Sequence, residues 1–141
     1  MAFQTEFNLA LRAVLGAGKI LKKGAKTARD YRLKGAIDLV TEWDLKSQTH
    51  VTEIIRRRFP DHDFLSEEAA AGPRTSPSCW ILDPIDGTTN FVHGFPFYAV
   101  SLALLREEEL VIGIVHNPEL EETYWAVRGE GAFLIGERLR V

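Results

Sequence analysis

Apolar positions recur at intervals of three and four near the start of the chain, where Phe7, Leu11, Val14, Gly18, Leu21 and Ala25 fall on one stripe. That spacing predicts a long amphipathic helix from about Thr5 to Arg29. Lys19, Lys22, Lys23, Lys26 and Arg29 lie largely off the stripe and read as a solvated basic face. Lys34 to Val40 reads as a turn followed by a short extended piece, after which Thr41-Glu42-Trp43-Asp44 supplies capping residues for a second helix. Val51, Ile54, Ile55 and Phe59 give this helix its apolar face. Arg56-Arg57-Arg58 complements the negative end of its dipole, and Pro60 stops it. Asp61-His62-Asp63 then reads as a solvated turn.

Beyond Pro60 the pattern turns to short apolar runs. Phe64-Leu65-Ser66-Glu67-Glu68 resembles a strand that ends in polar residues, Ala69 to Ser78 a linker rich in Gly, Pro and Ser, and Cys79-Trp80-Ile81-Leu82 a buried strand. From Tyr98 the signal is β throughout: Ala99–Leu105, then Leu110–Val115 across an acidic turn at Glu107-Glu108-Glu109, then Thr123–Val127 and Ala132–Ile135. Gly129-Glu130-Gly131 and Gly136-Glu137 mark tight turns. Two helices followed by a run of strands predict an α+β fold, with a helix pair covering one face of a mainly antiparallel sheet. Trp43, Phe91, Phe95, Phe97 and Tyr98 are expected to fill its core.

Composition narrows the function classes. The chain has 141 residues, 45% of them hydrophobic and 26% charged, which suits one globular domain. A net charge of -3 gives no overall attraction to nucleic acid or to an acidic membrane surface, so neither is expected as a partner. The single cysteine, Cys79, excludes an internal disulfide framework and a multi-thiolate zinc site. With no continuous apolar stretch of membrane-spanning length, the expected location is the cytoplasm. His50 and His116 have no ligand partners at useful spacing.

The candidate chemistry lies in Asp83-Pro84-Ile85-Asp86-Gly87-Thr88-Thr89. Two carboxylates three positions apart at the end of a buried strand repel each other unless a cation or a proton sits between them. Oxygen ligands alone point to magnesium. Gly87-Thr88-Thr89 has the composition of a helix start, whose amides can face a phosphate. Phosphate ester chemistry is the leading expectation.

Ser66-Glu67-Glu68, together with the unbroken run from Trp80 through Asp83-Pro84-Ile85-Asp86-Gly87-Thr88-Thr89-Asn90-Phe91-Val92-His93-Gly94-Phe95 to Pro96, closely resembles the inositol monophosphatase family. The resemblance implies a layered α/β sandwich of the sugar phosphatase type. Residues 1–141 would form its N-terminal portion, with the C-terminal half absent. It also implies that Glu67, Asp83 and the Ile85 carbonyl bind one Mg2+, that Asp83 and Asp86 bind a second, and that a third lies near Glu67. Thr88 would position the attacking water, and Asp44 would orient Thr88. The amides of Gly87 and Thr88, with Glu67, would hold the substrate phosphate. Lys34 is similar to a basic position near the metals.

The implied substrate is inositol monophosphate or a related polyol or sugar phosphate, and relatives commonly form homodimers. Asp44 as a helix cap, and Asp83 and Asp86 as turn residues, remain the structural alternatives. The competing functional readings are a noncatalytic magnesium-binding or protein-interaction module and an inactive fragment.

Overall fold

The computed structural model describes residues 2–30, 36–66 and 74–141. The stripe on the first segment forms helix α1, Gln4–Asp30, which buries Ala10, Ala13, Val14, Ala17 and Leu21. Helix α2, Ala36–Arg58, packs along it. The two approach closely where Trp43 of α2 lies against Gly24 of α1, since any Cβ at Gly24 would strike the indole ring.

The start of α2 corrects one expectation. Ala36 to Val40 is helical, not extended, and Thr41 to Asp44 lie inside the helix rather than capping it. Val40 packs against the core at the helical spacing set by Trp43, Asp44 and Ser47, so burial on one face overrides the strand preference of this β-branched residue. The turn expected at Lys34-Gly35 lies outside the described residues.

Among the described residues seven strands follow: β1 Asp63–Ser66, β2 Ser78–Asp86, β3 Ala99–Arg106, β4 Glu109–Asn117, β5 Glu122–Val127, β6 Gly131–Leu134 and β7 Glu137–Arg138, with the short helix α3, Thr88–His93, between β2 and β3. They form one sheet in sequence order. Among the described residues only the β1–β2 pairing is parallel; every later pair is antiparallel, and from β3 on the strands are joined by short turns. The β3–β4 hairpin turns on Glu107 and Glu108, both at positive φ (49° and 67°), a backbone suited to the twist of a two-residue hairpin.

Alternation along the strands sorts the sheet into two faces. Trp80, Leu82, Val100, Leu102, Leu104, Ile112 and Ile114 are buried beneath α1 and α2. Phe91 and Tyr98 join this core edge to face, 5.1 Å between ring centroids. Phe95 and Phe97 do not: they are 59% and 58% exposed, because the loop after α3 turns them outward at the end of the sheet.

The Asp61-His62-Asp63 segment is built in, not merely solvated. Asp63 accepts the amide hydrogens of Thr75 and Ser76 at 2.7 and 2.8 Å, and those backbone donors hold its carboxyl below the usual range. His62 stacks on Phe59, with ring centroids 4.6 Å apart, and its Nδ1 accepts the indole N–H of Trp80 at 3.0 Å. An indole only donates, so Nδ1 must be unprotonated.

Burial pushes the His62 pKa down, aided by Arg106 and opposed by Glu6, Asp61 and Asp63. Burial also lowers that of His116, whose Nδ1 lies 2.8 Å from the Thr123 hydroxyl. In the unfolded chain both take up a proton near the ordinary value of 6.5, and in the folded chain only below it. Their stabilising contribution is therefore complete above about pH 6.5 and is lost as pH falls toward the lowered folded values. The urea midpoint is expected to fall between pH 7.5 and pH 5.5. His62→Asn, which keeps an acceptor near the place of Nδ1, should flatten that slope; a midpoint that rises on acidification would contradict the assignment.

Candidate active site

The acidic motif sits where β2 departs from regular geometry. Asp83 pairs with Ser101 of β3 and Asp86 with Ala99, so three steps along β2 match two along β3. The extra residue is a bulge. In a regular strand residues three apart point to opposite faces, but Ser101 and Ala99 are two apart and share one. The bulge therefore brings Asp83 and Asp86 onto the same face of the sheet, turned from α1 and α2. Pro84 and Ile85, between them, are both buried on the helix side opposite Val100. A turn reading of Asp83 and Asp86 does not fit, since both are strand residues.

Two like charges on one face call for a cation, and the donors are hard oxygens. Asp83 has one carboxylate oxygen sealed from solvent, while Asp86 is exposed. That combination of a dry and a wet carboxylate fits a magnesium-type ion that keeps part of its water. Among the described residues no group of three or more His, Cys, Asp or Glu side chains gathers to hold a metal. Glu67, the third expected acid, lies outside the described residues, as do Glu68 and Lys34.

Gly87 follows with φ 90°, and a Cβ there would come within 2.9 Å of the Phe97 carbonyl oxygen, so the chain can turn into α3 only at glycine. Thr88 opens α3 and is exposed. The helix packs against α1 and α2. Asp44 is only 7% exposed and lies in the interior of α2, which removes the cap alternative. Asp86 and Gly87 line an open groove of about 520 Å³ together with Tyr98, Val115 and Tyr124.

Comparison with known proteins decides the family, because the family model of the inositol monophosphatase family matches residues 4–141. The chain belongs to the inositol monophosphatase family. It is 41% identical over 139 residues to inositol monophosphatase 2 of Solanum lycopersicum, covering 95% of this chain and 52% of that protein. It is also 41% identical over 137 residues to the Nus factor SuhB of Pasteurella multocida, covering 95% of this chain and 51% of the relative. Among solved structures, the extragenic suppressor protein suhB from Bartonella henselae superposes with a TM-score of 0.86 at 34% identity, over 97% of this chain and 54% of that one. The chain thus spans about half the length of the curated relatives it matches.

Two α2 residues of this inositol monophosphatase family member, Ser47 and Gln48, escape a motif reading. Ser47, fully buried on α2, donates its hydroxyl hydrogen to the Pro84 carbonyl at 2.9 Å. Ser66, the last described residue of β1, donates to Oε1 of Gln48 at 3.1 Å. The one sequence signal was Pro84 itself: proline inside a strand forecasts an edge or a bulge. No helix among the described residues is long and apolar enough to cross a membrane.

Proposed function

We propose that the chain carries the acidic half-site of a magnesium-dependent phosphomonoesterase acting on inositol monophosphate or a related polyol or sugar phosphate. The observation that carries this reading is the β2 bulge, which sets Asp83 and Asp86 on one face of the sheet, with Asp86 lining an open groove. Glu67, Asp83, Asp86 and the Ile85 carbonyl are the proposed ligands. Ser66 is in register with Leu82, and in the sequence Glu67 and Asp83 are the residues that follow them.

Magnesium bound there would supply charge compensation for the phosphoryl oxygens and lower the pKa of water. Thr88 would accept a hydrogen bond from the attacking water and aim it in line with the ester bond, while Asp44, on the helix against which α3 packs, would hold the threonine hydroxyl in an accepting orientation. The amides of Gly87 and Thr88, with Glu67, would position the phosphate. The phosphate-free part of the substrate would lie along the groove toward Tyr98 and Tyr124.

Phosphate release from inositol 1-phosphate tests this directly. Turnover is expected with magnesium, absent after EDTA treatment and restored by adding the ion back. Undiminished release in EDTA would end the reading.

A further inference from the structure

We propose that Ser47 is a positioning residue for the acidic site, acting by clamping the β2 bulge that puts Asp83 and Asp86 on one face of the sheet. The proposal rests on the divalent-ion reading above. A bulge takes one residue out of the β-ladder, and here that stretch contains Pro84, which has no N–H to give. Its carbonyl is the only polar backbone group left at that position, and Pro84 is buried. Ser47 supplies the donor, from a side chain with no exposed surface. A serine within a helix can instead bond a carbonyl one turn back on its own helix. This one spends its hydroxyl on the strand.

The consequence concerns register. Without the bulge, β2 would pair with β3 in strict alternation and Asp86 would turn to the face opposite Asp83. Tying Pro84 to α2 opposes that slide, because Pro84 and Ile85 must both stay on the helix side. The adjacent residue of α2 grips the other strand: Gln48 takes the hydroxyl hydrogen of Ser66, immediately before Glu67. Asp44 precedes Ser47 by three residues and so shares its face of α2. One turn of α2 therefore touches both strands where each gives way to acidic residues.

The test is Mn2+ binding, followed by the electron paramagnetic resonance signal of the free ion, in the wild-type chain, Ser47→Ala and Ile55→Val. Ile55 is buried on the same helix about two turns beyond Ser47, so its variant loosens the core while leaving the Ser47–Pro84 hydrogen bond in place. Ser47→Ala is expected to weaken Mn2+ binding about 10- to 100-fold, the range seen when groups that orient metal ligands are removed. Ile55→Val should bind as wild type does. If Ser47→Ala loses its native circular dichroism, Ser47→Cys, with a weaker donor of similar shape, is measured against the same expectation. Wild-type affinity in the serine variant overturns the proposal, as does an equal loss in Ile55→Val, which would make the effect one of stability. Absence of Mn2+ uptake by the wild type would instead remove the divalent-ion reading itself, and Ser47's role with it.

Discussion

Asp83→Asn is expected to lower metal-dependent phosphate release from inositol 1-phosphate by about three orders of magnitude while leaving the fold intact. The amide matches the carboxylate in size, so the side chain can still occupy the half-buried position on β2 opposite Ser101. What changes is charge. Removing a single preorganised group that stabilises transition-state charge costs about 10² to 10³ in rate. A residue proposed to serve two ions is expected to reach the top of that range. Circular dichroism and the urea midpoint separate the effect from unfolding: a variant of the same shape that keeps both has lost only the charge. Comparable turnover by the two proteins would show that the carboxylate is a structural strand residue.

Trp80→Ala is expected to produce the largest loss of stability. Trp80 is fully buried near the start of β2, with Phe59 at 6.3 Å between ring centroids and His62 accepting its indole hydrogen at 3.0 Å. Truncating a buried tryptophan costs about 3 to 5 kcal/mol, from lost transfer free energy and an unfilled cavity. That is a large part of the ~5 to 15 kcal/mol that holds a domain together. Trp80→Phe separates the two contributions. It keeps an aromatic ring in place but removes the donor, and a lone hydrogen bond is worth about 1 kcal/mol. Urea titrations should thus rank wild type, Trp80→Phe and Trp80→Ala in falling order, with the wider gap before alanine. Equal losses in the two variants would mean that the bond to His62, rather than ring packing, holds this end of β2.

The sequence disclosed some of this more readily than the rest, for physical reasons. The apolar stripe of α1 and the alternation through β3 to β6 were legible because each element buries one face of regular period. The first turn of α2 reads as extended because Ile37 and Val40 are β-branched, whereas in the structure Val40 packs on the core from within a helix. The acidic motif announced its chemistry but not its geometry: carboxylates three apart on a strand should diverge, and pairing with β3 is needed to see that they do not. Ser47 gave no signal at all. A small polar residue on a helix resembles any other until its hydroxyl is found against a strand carbonyl. Phe95 and Phe97 erred in the other direction, because hydrophobicity forecasts burial and not which loop residues turn outward.

Asp83 and Asp86, brought to one face by the bulge, are proposed to bind divalent cations. Isothermal calorimetry of magnesium into the wild-type chain and into Asp83→Asn, at matched pH and ionic strength, tests that claim most directly. The account predicts saturable uptake by the wild type, weakened at least a hundredfold in the variant. No uptake by the wild type, or the same isotherm from both proteins, would contradict it.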